Sequence, residues 1–490
     1  MNPSTVVETR EGPWARAWGA LVDADPVLAK EILVTVRTPA YARSIVAVPV
    51  VLTGLVLVAS LTSLEVPGRV LFSTYVTGLA VLLGLLGAGL GSTVVVQERE
   101  ANALEALKFS SLSPRRISLG KFLAVILAQA AVVVGTLPSL AIILASKDVS
   151  IGETCVALAI AFAGGVMTAS IGIAVSAHAP HTRQALLAAL LGAFLVGIGV
   201  TIWLALGSQI AARSDGPFDA ANAYFEAPVD GRYVVFLLVA PAYAFAAVLW
   251  FAYALATSGL MDRSEDRSLP LKRWTLAVLA AGVAIVTGWG NTTRQLDRDW
   301  TAAVSMFSIA SVAIGLLFVF AGEPVSPSRR MQVNPPSSVD RLLFPRCLAP
   351  SLLFPVVSGG LALVAVPVLL GASSRLGVDA AWGVTFLAAL AGAMGSVAAK
   401  RGAATARRAG AAALIGLTIG VLWLRANSTG RSLADAVCPL WLDPDDARGA
   451  WALGFALLGW TTAAFASVVS MLRLVRAADR RQAPAVPGGP

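Results

Sequence analysis

Charge is what this sequence has least of. Only 13% of its 490 residues are charged and 57% are hydrophobic, whereas soluble domains carry roughly 25% charged residues. That deficit excludes a soluble globular protein and points to a chain that crosses a membrane many times. Cysteine is equally sparse. Cys155, Cys347 and Cys438 lie far apart, which excludes a disulfide framework and any zinc-finger spacing. His178 and His181 sit at i, i+3 spacing but are interrupted by Pro180 and have no evident third ligand, so a solvated loop is the default reading over a metal site. Asp443, Asp445 and Asp446 read as an acidic surface turn. A G-x-x-x-x-G-K-[ST] loop is also missing, because Gly120-Lys121 is followed by Phe122 and lacks the upstream glycine. ATP binding by a P-loop and resident cofactors are therefore not expected on this chain.

What is present is a series of long apolar runs. A spanning helix needs about 20 apolar residues, and that criterion predicts twelve spans, at roughly 44–64, 70–96, 119–145, 151–176, 184–207, 233–259, 274–290, 301–321, 348–371, 381–399, 409–424 and 450–472. The first run opens near Ser44, later and longer than a leader's apolar region, and is expected to stay as an anchor. With the N-terminus inside, the inner segments hold 27 of the 37 Lys and Arg residues. This satisfies the positive-inside rule with both termini cytoplasmic. The net charge of +9 thus reports orientation, and nucleic acid is not an expected partner. The charged residues all fall in loops or at the ends of these runs. An ion-driven secondary transporter usually needs ionisable groups within the bilayer, and Gln129 is the most notable polar side chain in a span. Gly87/Gly91 and Gly416/Gly420 have small-residue spacing that permits close helix approach, read here as ordinary packing. Pro138, Pro241, Pro355 and Pro367 are expected to kink their spans. Asn291 and Asn427 open sequons that matter only in a secretory pathway.

Two stretches depart from this pattern. Residues 25–43 (DPVLAKEILVTVRTPAYAR) have helical periodicity, with Leu28, Ile32 and Val36 on one face and Asp25-Pro26 as a helix start. Such a helix is expected to lie in the membrane interface. Residues 97–121 (QEREANALEALKFSSLSPRRISLGK) form a charged island between the second and third runs. Glu98, Arg99 and Glu100 are expected to open a short amphipathic helix, with acids complementing its dipole. Leu104, Leu107 and Leu112 line one face, and Glu105 and Lys108 another. Ser113-Pro114 ends that helix and starts the next. Arg115 and Arg116 pin the end of the third span.

The pattern E-R-E-x-x-x-L-E-x-L followed by L-S-P-R-R-I-x-L-G-K resembles the signature of the ABC-2 type transporter permeases. The likeness covers residues 25–259. Asp25-Pro26 with Lys30-Glu31 is similar to the family's elbow helix, and Thr136-Leu137-Pro138, Ser176 and Arg183-Gln184-Ala185 are also family-like. Residues 208–232, with Phe218, Tyr224 and Phe225, fall where the family often places short outer helices. Two local departures stand out. Asn102-Ala103 replaces the family's Gly-Thr, and Ser110-Ser111 its Thr-Pro.

The resemblance implies an all-α polytopic bundle with an elbow helix in residues 1–43, a six-span permease domain over 44–259, and a coupling helix that receives force from a separate ABC ATPase. ATP and magnesium would sit on that partner. A second permease subunit and the lipid bilayer would be the other partners, in a bacterial inner (plasma) membrane. Glu98, Arg99, Glu100, Leu104, Glu105 and Leu107, with Pro114, Arg115 and Arg116 shaping the junction, would form the ATPase-coupling interface of an exporter. Residues 260–490 predict six further spans without the signature, either a degenerate repeat or an accessory bundle. Pro324, Pro327, Pro335 and Pro336 make their 322–346 loop a poor helix. A twelve-span secondary transporter and a membrane scaffold stay open as alternatives.

Overall fold

The apolar runs become helices, since a chain in hydrocarbon must satisfy its backbone polar groups internally. The computed structural model describes residues 26–62, 68–105, 112–144, 149–212, 234–261, 267–292, 298–324, 347–426, 461–475 and 477. Among these, ten helices are long and apolar enough to cross a membrane. The chain divides between Met261 and Asp262 into two compact units.

Unit 1 contains α1 (Pro26–Arg37), α2 (Pro39–Thr62), α3 (Gly68–Thr93), the short α4 (Val96–Glu100), α5 (Pro114–Leu144), α6 (Ile151–Ser176), α7 (Thr182–Ala212), a π-helical turn at Val234–Val239 and α8 (Ala240–Leu260). Six of the ten candidate spans lie here. Glycines set the central crossing. A Cβ at Gly87 would collide with Gly165 O and the Gln129 amide, one at Gly91 with Ala169 O, and one at Gly172 would come within 3.0 Å of Ser92 N. The Gly87/Gly91 spacing therefore serves contact of α3 with α6 in the same chain. Gln129, fully buried on α5, donates to Leu83 O (3.4 Å) and Gly165 O (3.1 Å) at that crossing. Around it pack Leu52, Tyr75, Leu79, Leu83 and Val132. Phenolic groups tie backbones across helices: Tyr75 donates to Thr136 O at 2.8 Å and Tyr41 to Ala128 O at 3.1 Å.

Unit 2 contains α9 (Leu269–Thr292), α10 (Arg298–Phe320), α11 (Leu348–Leu370), α12 (Ser374–Arg401), α13 (Ala403–Ala426) and α14 (Thr461–Val475). Buried Leu317, Phe320, Leu348 and Leu352 belong to its core, with Phe320 and Phe354 edge to face at 6.4 Å. A Cβ at Gly392 or Gly395 would collide with Ser467 or Met471, so α12 and α14 also meet at backbone distance.

Several expectations change. The eleventh expected span, 409–424, falls in α13, which is not among the ten candidates, and of 450–472 only the part from Thr461 is described, as the 15-residue α14. Among the described residues Gly416 meets nothing within 4 Å, so that half of the second glycine pair makes no close crossing with them. Pro241 stands at the start of α8 directly after the π-helical turn, where its missing N–H is no loss. The tenth span begins at Ser374, earlier than expected, which places the buried Asp379 inside the helix. The loops at 208–232 and 322–346 lie almost wholly outside the described residues, as do Asp25 and Leu107.

Candidate functional site

The charged island between α3 and α5 is folded onto unit 1 from several sides. Its helix is shorter than expected and lies earlier in the chain. Val96–Glu100 makes a single turn, so Glu98, Arg99 and Glu100 close a helix instead of opening one. The chain then turns at Ala101-Asn102, where Asn102 has φ +56°. Asn tolerates this left-handed region better than most side chains, and glycine best of all. Residues 103–105 resume a helical course. Leu104 is buried against Val95, Ile117, Phe122 and Ile173, which pins the segment to the core beyond the turn.

The start of α4 carries no capping side chain of its own. Ser176, the last residue of α6, supplies the acceptor: its Oγ receives the N–H groups of Val95 (3.0 Å) and Val96 (2.9 Å). This satisfies donors that a helix start otherwise leaves orphaned.

The three charged residues of α4 diverge to different neighbours. Glu98 points toward α1 and α5. Its Oε1 accepts from Lys30 Nζ at 2.9 Å. Its Oε2 lies 2.9 Å from Lys121 Nζ, an ion pair whose angle falls outside hydrogen-bond geometry. Lys121 is fully buried and also donates to Glu31 Oε1 (2.8 Å) and Val94 O (3.2 Å). Lys30 is 3.9 Å from Glu31. Two lysines and two glutamates thus alternate in one cluster without net charge, as buried charges require. Lys121 lies about 10 Å along α5 from its first residue, at 1.5 Å per residue. Lys121 stands near the expected start of the third span, and the structure buries it there between two carboxylates. Gly120 beside it admits α1: a Cβ there would come within 3.0 Å of Val27 Cγ1 and 3.2 Å of Leu28 N.

Arg99 and Glu100 turn the other way. The Arg99 guanidinium donates to Ala177 O at 2.6 Å and to Ala179 O, carbonyls that the end of α6 leaves free. The Glu100 carboxylate accepts from Thr182 N (2.9 Å) and Thr182 Oγ1 (2.7 Å), capping the start of α7, where an anion is favoured. Gln97, Glu100, His181, Thr182 and Arg183 line a shallow open depression there. His178 Nδ1 lies 3.1 Å from Ala174 O.

The elbow stretch forms α1, but its inward face is Val27, Leu28, Ala29 and Glu31, all buried. Leu33, Val34 and Val36 face outward, so Val36 does not share the packed face of Leu28. The reason is the cluster: burial of Glu31 on Lys121 sets the rotation of the helix. The Lys30 ammonium is held above its ordinary pKa of 10.5, because its bond to Glu98 and the charges of Glu98 and Glu31 outweigh the opposing effect of burial. Pro114 is the first residue of α5, Arg115 and Arg116 are exposed, and the Arg115 carbonyl accepts from Tyr253 Oη at 3.3 Å. Glu105 is exposed beside Ala101, Asn102 and Ala103.

Sequence reasoning singled out Lys30, Glu31 and Glu98 without Lys121, the common partner of the two glutamates, and gave no role to Ser176 or Thr182. Two signals were available: a lysine next to glycine inside an apolar run, and a threonine at the first position of a span. No protein-family model, curated protein or solved structure matches this chain.

Proposed function

We propose that this chain is the membrane subunit of an ATP-driven transporter of the ABC-2 type, an exporter working with a separate ATPase chain and a second permease subunit. The observation that carries the reading is the 95–105 segment. Its charges and its buried Leu104 fasten it to α1, α5, α6 and α7 of one six-span unit, while Ala101, Asn102, Ala103 and Glu105 remain exposed. A short segment gripped by four helices and bare on its outer side is suited to receive a push and distribute it. The left-handed Asn102 adds support, since it stands where the resembled signature has glycine, and both residues suit a positive φ.

In this reading the first contact with the ATPase is made by the exposed turn 101–103 and Glu105. Glu98, Arg99 and Glu100 form the inner side of the same interface, transmitting what the turn receives. Both termini face the cytoplasm, as the charge distribution favours. The outward apolar faces of α2 (Val46, Val50, Leu57) and α7 (Leu187, Leu191, Phe194) would meet lipid and the second permease subunit. Unit 2 would serve as a degenerate second permease unit or as an accessory bundle.

The test is mild-detergent purification from the native host, with identification of stoichiometric companions. Recovery of a P-loop ATPase that is lost on Ala103→Arg with Glu105→Lys supports the assignment. Both substitutions lie on the bare side and leave the ion cluster intact. Recovery of the chain alone, with ATP-independent transport in liposomes, would transfer the assignment to a secondary transporter.

A further inference from the structure

The segment is held by two clasps of different physics. The inner clasp joins Glu98 to Lys121, Lys30 and, through Lys121, to Glu31. Its central ammonium is fully buried, and the backbone of α1 packs against α5 at Gly120. Removing one member would strand charge in a low-dielectric site, which is strongly unfavourable. The outer clasp joins Arg99 to the carbonyls after α6 and Glu100 to the start of α7. The Glu100–Thr182 pair is exposed, so water competes for both partners and little is lost when it opens. The chain between α3 and α4 is only the turn at residues 94–95, and buried Ser176 bonds join that turn to α6, so α3 and α6 stay with the segment.

We infer that Lys121 is the positioning residue that makes the 96–105 segment, the elbow helix α1 and the third span α5 one moving body, and that the exposed Glu100–Thr182 contact with α7 is the joint that opens. The inference deepens the proposed function, because it states where a push on the segment goes: into α1 and α5, and away from α7. Glu31 and Glu98 hold the Lys121 ammonium from two elements, and Gly120 keeps those elements at backbone distance. Thr182 plays the opposite role, offering a hydroxyl and an N–H that Glu100 can exchange for water.

Double electron–electron resonance on the full chain in lipid nanodiscs tests this without any partner or substrate, so its outcome is independent of whether an ATPase co-purifies. With Cys155, Cys347 and Cys438 replaced by serine, spin labels are placed at the exposed positions 103 and 37, or 103 and 184. The expected result is a single narrow distance distribution for 103–37 and a broader or two-peaked one for 103–184. Thr182→Ala should broaden 103–184 further and leave 103–37 unchanged, while Lys121→Met should broaden 103–37. Should Lys121→Met fail to fold, the Thr182→Ala comparison still decides. A 103–184 distribution as narrow as 103–37, or broadening of 103–37 by Thr182→Ala, would overturn the inference.

Discussion

Both units bury a lysine near the start of a helix. In unit 1, Lys121 is met by the carboxylates of Glu31 and Glu98 and by a backbone carbonyl. In unit 2, Lys272 is equally buried, and its partners include the Ser351 hydroxyl at 2.9 Å and the face of Phe320 at 5.8 Å. The carboxylate solution links three chain segments far apart in sequence. The Lys272 contacts with Ser351 and the Phe320 ring join α9 to α11 and α10. The units share a second device. Arg99 donates to the carbonyls that end α6, and Arg407 to Phe318 O and Val319 O at the end of α10, where cationic side chains suit a helix terminus. In unit 1 the ion cluster sits where a segment between two spans is held on one side and exposed on the other.

The sharpest way to break that contrast is to delete the two lysines. Lys121→Met leaves two carboxylates facing each other with only the peripheral Lys30, and should cost on the order of 3–5 kcal/mol. Lys272→Met takes the cation from the Ser351 hydroxyl and the Phe320 ring. Thermal unfolding in detergent, followed by tryptophan fluorescence, reads both. A Lys121→Met loss under about 1 kcal/mol would mean that the cluster has no special weight.

Glycine crossings give the next contrast. Gly91→Ala drives a methyl into Ala169 O, and overpacking of this kind costs about 1–3 kcal/mol. Gly416→Ala meets open space and should be neutral or slightly stabilising by helix propensity. Equal melting shifts for the two would show that the α3–α6 crossing relaxes freely. Below these comes Ser176→Ala, which leaves the Val95 and Val96 donors without their acceptor, at about 1–2 kcal/mol by analogy with lost caps. Its amide protons should exchange faster at residues 95–98 than elsewhere. Uniform exchange would remove Ser176 from its capping role.

The helices were legible in the sequence because apolar runs of spanning length leave few alternatives, and Pro114 marked the start of α5 as its residue type requires. The break at Asn102 was not legible. Asn reads as a mediocre helix residue, and only the φ of +56° reveals that it occupies a glycine-like position. The clasp was half legible. Lys30, Glu31 and Glu98 stood out as charges in a charge-poor chain, but pairs separated by 68 and 90 residues leave no local periodicity to read. Lys121 was hidden by its position, since at the expected edge of a span a lysine needs no partner.

The smallest effect separates the two lysines within the cluster itself. Lys30 is partly exposed and held above 10.5 by Glu98 and Glu31 against the pull of burial. A cationic group raised in the folded state contributes its full stabilisation below the unfolded value, and loses it as pH rises through the folded value. The Lys30 contribution should thus be flat through neutral pH and fade only above about 10.5. Screening by water keeps it to a fraction of a kcal/mol. Melting temperatures of the wild-type chain and Lys30→Met, compared from pH 7 to beyond the lysine range, should differ by a small constant amount that closes at the alkaline end. A difference that instead grew with pH would mean that Lys30 is held neutral in the folded chain, and the alternating charges of the inner clasp would have to be redrawn around Lys121 alone.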